Sequence, residues 1–87
     1  MNLSNADGSG DATLDHLPVG GKGRIREVVG TDGISMRLME MGVLEGEEIE
    51  TLGKAPLGDP IEFQLRGYRL SLRVEEAKRV ILEPESN

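Results

Sequence analysis

The chain has 87 residues, with 16 acidic side chains against 10 basic ones and no cysteine. This leaves room for one small domain with one core, and it excludes disulfides, thiolate metal sites and a cysteine nucleophile. The formal charge of −6 speaks against a duplex-binding protein, which needs a clustered cationic footprint.

Residues 1–13 are rich in Asn, Asp, Ser and Gly. They read as a disordered polar tail, because they bring too little apolar surface to offset the entropy of ordering. Residues 14–84 carry the folded domain and 85–87 a short C-terminal tail. After Leu14 to Val19, the run Gly20-Gly21-Lys22-Gly23 makes a tight bend. Gly23 to Val29 reads as the first strand, and its alternation slips between Ile25 and Val28, as a bulge would make it do. Asp32 is placed to cap a helix. Ile34, Leu38 and Met41 then recur on one helical face, and Gly42 suits a left-handed stop.

Glu47 to Lys54 is the second strand. The run Ala55-Pro56-Leu57-Gly58-Asp59-Pro60 is a rigid turn. Beyond it Ile61, Phe63 and Leu65 alternate with Glu62, Gln64 and Arg66. Gly67 permits a reversal, and Tyr68, Leu70 and Leu72 alternate with Arg69, Ser71 and Arg73, the clearest period-two signal in the chain. A helical turn over Val74 to Lys78 precedes a last strand, Val80 to Glu83. About five strands around an aliphatic core, with one short helix between the first two, predict a mainly β fold. An SH3-like barrel comes first and an OB-type barrel second; periodicity alone does not separate them.

The chain offers little catalytic chemistry. A phosphate-binding loop needs a glycine where His16 stands and a Ser or Thr where Gly23 stands, so the Gly20–Gly23 run is a turn. His16, the only histidine, has flexible carboxylates for neighbours and reads as part of a solvated turn. The acidic run Glu45, Glu47, Glu48 and Glu50 is the candidate for holding a hard divalent cation through oxygen ligands, with His16 a weaker addition, but Glu48 and Glu50 point away from the core as a solvated strand face would. No cofactor is otherwise called for. Aromatic residues make up 2%, too few for a base-stacking platform or a polyproline groove. No apolar run approaches the roughly 20 residues that span a bilayer, and no signal peptide is evident. A cytoplasmic protein without direct membrane insertion is expected.

On a helical wheel Met36 and Met39 fall opposite the Ile34–Leu38–Met41 face. Either they form an adaptable contact patch or a neighbouring loop covers them; the spacing does not choose.

The runs Arg37-Leu38-Met39-Glu40-Met41-Gly42-Val43-Leu44-Glu45-Gly46, Ala55 to Ile61 and Gly67 to Ala77 together resemble the ferrous iron transport protein A (FeoA) family. The resemblance extends from about Leu14 to Glu83. It implies a stand-alone, cytoplasmic SH3-like barrel that assists FeoB, a membrane ferrous-iron transporter with a cytosolic G domain, by protein contact and without enzymatic activity. A related domain ends iron- or manganese-dependent repressors, so the alternative reading is an Fe(II)-binding sensor or a regulatory barrel of that kind. On the leading reading Met36, Arg37, Met39 and Leu44 are the expected contact residues. Gly42, Gly58, Asp59, Pro60 and Gly67 are expected to be structural.

Overall fold

A strand that changes partners halfway along its length organises this domain. In the computed structural model, which describes residues 12–84, strand β2 (Lys22–Val28) pairs through Lys22, Gly23 and Arg24 with β3 (Glu48–Lys54). Through Ile25, Glu27 and Val28 it pairs instead with β6 (Val80–Leu82). The register shifts between Ile25 and Glu27, where the sequence alternation slips. An extra residue there bends the strand, so one strand serves both halves of a curled sheet. Gly23 sits at the crossing: a β-carbon there would come within 2.9 Å of the Leu82 side chain.

The sheet continues from β3 to β4 (Ile61–Leu65) and β5 (Tyr68–Leu72), all antiparallel. Arg66 and Gly67 close the β4–β5 hairpin, both at positive φ, as a two-residue turn matched to the strand twist requires. At the other edge β1 (Ala12–Thr13) pairs with β6, giving six strands in the order β1-β6-β2-β3-β4-β5.

This corrects two expectations. Ala12 and Thr13 belong to the sheet and not to the polar tail, because the outer edge of β6 offers unpaired backbone groups and the next residue, Leu14, is fully buried. Among the described residues the strand count accordingly rises from about five to six. The remaining tail assignments, residues 1–11 and 85–87, lie outside the described residues. The turn at Leu14–His16 is a short 3-10 helix.

The core is aliphatic around a single ring: Phe63 packs with Leu14, Ile25, Leu38, Ile49, Ile61, Leu65 and Leu72, all essentially inaccessible. Helix α1 (Gly33–Glu40) packs against β2 and against α2 (Val74–Ala77), which follows β5. Helix α1 starts on Asp32, whose carboxylate accepts from the Ser35 N–H, satisfying a donor that the first helical turn leaves open. It ends where Gly42, at φ +94°, donates to the Met39 carbonyl and Val43 donates to that of Leu38. Both bonds belong to a Schellman stop, and the buried pair Leu38–Val43 supplies the hydrophobic contact that accompanies it.

Candidate functional site

The helix stop decides what the next residues present. Because the chain turns sharply at Gly42, Val43 enters the core and Leu44 swings outward, 46% exposed. Leu44 then stands beside Met39, which is 45% exposed, and Met36 continues the apolar surface one turn up the helix at 55%. Met39, Val43 and Leu44 face Val28 of β2 across a groove of about 230 Å³, rimmed by Glu27 and Glu45. Three of the four expected contact residues thus meet on one surface. The described residues leave Met36 and Met39 exposed, which answers the alternative of a covering loop within this part of the chain.

Arg37 takes another direction. Neighbouring helical residues project about 100° apart, and Arg37 points toward α2, where its guanidinium meets Glu76 at 2.9 Å. The other oxygen of Glu76 accepts from the Arg73 N–H at 2.8 Å. Arg73 is the N-cap of α2 and Glu76 its third residue, so this is the reciprocal half of a capping box. The buried carboxylate is therefore satisfied on both sides, which is the condition for burying a charge at all.

Two further contacts lock the same side of the molecule. Arg79 grips Asp32 with two parallel bonds of 2.7 and 2.8 Å, a bidentate geometry available to a guanidinium. Hydrogen bonding from Arg79, aided by the Ser35 N–H, holds the Asp32 carboxyl well below the usual carboxylate range, and Asp32 raises Arg79 in return. Asp59 accepts from the Val74 N–H at 3.1 Å, so the proline turn caps the start of α2.

The residues expected to be structural take those places. Gly58 and Gly67 adopt φ of +88° and +86°, and Pro60 accepts from the Ala55 N–H at 2.9 Å, closing the turn. Gly42 has a second reason to lack a side chain. The Tyr68 hydroxyl donates to the Met41 carbonyl, and a β-carbon on Gly42 would run into it.

The candidate metal ligands do not converge. Glu45 rims the apolar groove. Glu48 and Glu50 line a polar hollow with Lys22, Gln64 and Arg66. Lys22, Glu50 and Gln64 face one another across three strands there, a cross-strand arrangement that neutralises charge locally. His16 is exposed on its 3-10 turn, 3.4 Å from Asp15. Among the described residues no three His, Cys, Asp or Glu side chains gather in a way that could hold a metal ion. No described helix is long and apolar enough to cross a membrane.

Sequence reasoning missed Glu27 and Val28 as groove residues and Glu76 as the anchor of Arg37. The Glu-three-after-cap spacing in Arg73-Val74-Glu75-Glu76 was the available signal for Glu76.

Comparison with known proteins places this geometry in context. A family model described as the FeoA domain matches residues 12–84. A Porphyromonas gingivalis protein named Fe(2+) transport protein A/Fe(2+) transporter FeoB fusion protein is 34% identical over 70 residues. That match takes in 80% of this chain but only 8% of the fusion protein. The solution structure of a FeoA-like protein from Clostridium acetobutylicum superposes with a TM-score of 0.79 at 38% identity, over 88% of this chain and 92% of that one. Stenotrophomonas maltophilia FeoA, described in its zinc complex as a procaryotic SH3 domain protein, gives 0.74 at 36% identity, over 83% and 89%. These neighbours settle the barrel as SH3-like. A manganese-dependent transcriptional repressor shares the fold at a TM-score of 0.77 and 13% identity, covering 85% of this chain and 36% of that one, a likeness of fold alone.

Proposed function

The chain belongs to the FeoA family, which is associated with ferrous iron transport, and on that footing we propose that it is a cytoplasmic accessory protein. It acts by contact with the cytosolic part of a FeoB-type transporter and catalyses no reaction itself. The observation that carries this reading is the apolar surface of Met36, Met39 and Leu44, each about half exposed, with Met39 and Leu44 lining one groove. Exposed apolar side chains grouped around a groove mark contact surfaces, and thioethers adapt to irregular partners. The P. gingivalis fusion joins the two named proteins in one chain, which is what makes FeoB the partner of choice.

The engaged ionisable groups fit a binding module. Asp32, Arg37, Glu76 and Arg79 are committed to internal pairs that hold the two helices in place, and Asp32 owes its shift to such a pair and not to a cleft. Capture of the transporter's cytosolic domain tests the reading directly. Wild type retains it, whereas Met36→Asp/Met39→Asp, shown by circular dichroism to be folded, does not. Equal recovery by a folded double variant removes the proposed surface.

A further inference from the structure

We propose that the groove between Met39, Leu44 and Val28 receives a peptide segment bearing an apolar side chain flanked by Lys or Arg. This rests on the contact reading above and specifies the chemistry of the partner. The groove holds about 230 Å³, below the roughly 300 Å³ at which small-molecule pockets begin, and so suits an inserted side chain. Its floor and walls are apolar: Val28, Val43, Met39 and Leu44. The charges on its rim have one sign. Glu27 stands on the β2 side and Glu45 on the loop side, and exposed Glu40 lies one turn along α1 from Met36.

Two nearby cations are committed elsewhere. Arg37 is drawn to Glu76 on the far side of α1, and the Arg24 guanidinium donates to the Gly46 carbonyl at 2.8 Å; neither lines the groove. A wholly apolar segment docking here would strip water from Glu27 and Glu45 without replacing it. An acidic segment would be repelled. Basic residues on either side of the inserted group meet both carboxylates, and the overall charge of −6 draws such a segment in. Rim charges of this kind select the partner and speed its association, and affinity rises with that faster association.

The test uses the full chain labelled with ¹⁵N and a synthetic amphipathic Leu/Lys peptide, with Gln-for-Lys and Glu-for-Lys versions as comparisons. The Lys peptide is expected to shift the amides of Val28, Met39, Val43 and Leu44. Its affinity should fall about tenfold in Glu27→Gln/Glu45→Gln, and likewise when salt is raised to about 0.5 M. The Gln peptide should bind more weakly and the Glu peptide not at all. Shifts centred elsewhere, binding indifferent to Glu27→Gln/Glu45→Gln, or equal binding of the Glu peptide overturns the proposal. Capture of the transporter's cytosolic domain separates the two readings. Loss with both Met39→Asp and Glu27→Gln/Glu45→Gln supports the cationic partner. Loss with Met39→Asp alone defeats that partner and leaves the contact reading standing; loss with neither defeats both.

Discussion

Helix α1 has two exposed flanks, and they are built on opposite terms. On the flank toward α2, Arg37 and, at the N-cap, Asp32 are matched to internal partners across the fold. On the other flank Met36 is exposed and Met39 opens onto a groove that, among the described residues, has no basic side chain on its lining. The first flank holds the helix to the barrel; the second is left available because the first has fixed its position. Stability and recognition are thus divided between two sides of eight residues, and substitutions should reveal the division.

The largest loss of stability is expected from Glu76→Ala. It leaves the Arg73 N–H unsatisfied and Arg37 unpaired, at a cost of about 2–3 kcal/mol measurable by urea denaturation. Glu76→Gln keeps an acceptor for the cap and should cost about 1 kcal/mol. If the two variants prove equally stable, the capping bond is not what holds this flank.

Next comes the junction between the flanks. Gly42→Ala places a side chain at φ +94° against the Tyr68 hydroxyl and should cost about 1–2 kcal/mol. In a Tyr68→Phe background, which lacks the hydroxyl, the same change should cost less. A strictly additive double-mutant cycle would show that backbone conformation alone excludes alanine.

A smaller, pH-dependent effect belongs to Asp32. Its carboxyl titrates lower in the folded chain than in the unfolded one, chiefly through Arg79. The stability it contributes is therefore present above the unfolded value of about 4 and is lost as pH falls through the folded value. Thermal melts from pH 7 downward should show the wild type losing more of its advantage over Asp32→Asn below about pH 4. Parallel curves for the two proteins would remove the pair from the account. The smallest effect on folding is expected on the open flank, where Met36→Asp/Met39→Asp should stay within about 0.5 kcal/mol of wild type while partner capture disappears. A large destabilisation there would mean that the thioethers serve the core.

The elements that declared themselves in the sequence are those with local causes. Asp32, Gly42 and the β4–β5 hairpin with its Gly67 turn all follow from backbone chemistry within a few residues, and the slip after Ile25 is a bulge. Strand β1 did not declare itself, since two residues carry no period and only the waiting edge of β6 makes them a strand. Tyr68 alternates as though inward, yet it stands at the hairpin end of an edge strand and spends its hydroxyl on Met41. Within the site, the helical spacing of Met36 and Met39 was readable. The partnership of Arg37 with Glu76, and of Met39 with Val28 across the groove, joins residues distant in sequence. No periodicity reports which strand a helix will lie against.

The Tyr68 hydroxyl on the Met41 carbonyl, together with the bonds from Val43 to Leu38 and from Gly46 to Ile25, has a kinetic consequence. The loop that carries Leu44 is pinned to the hairpin, the helix and β2 at once. A partner arriving at the groove meets walls already in position, so the entropy of ordering falls on the incoming segment alone. Encounter should then be governed by collision and charge and not by a rearrangement of this domain.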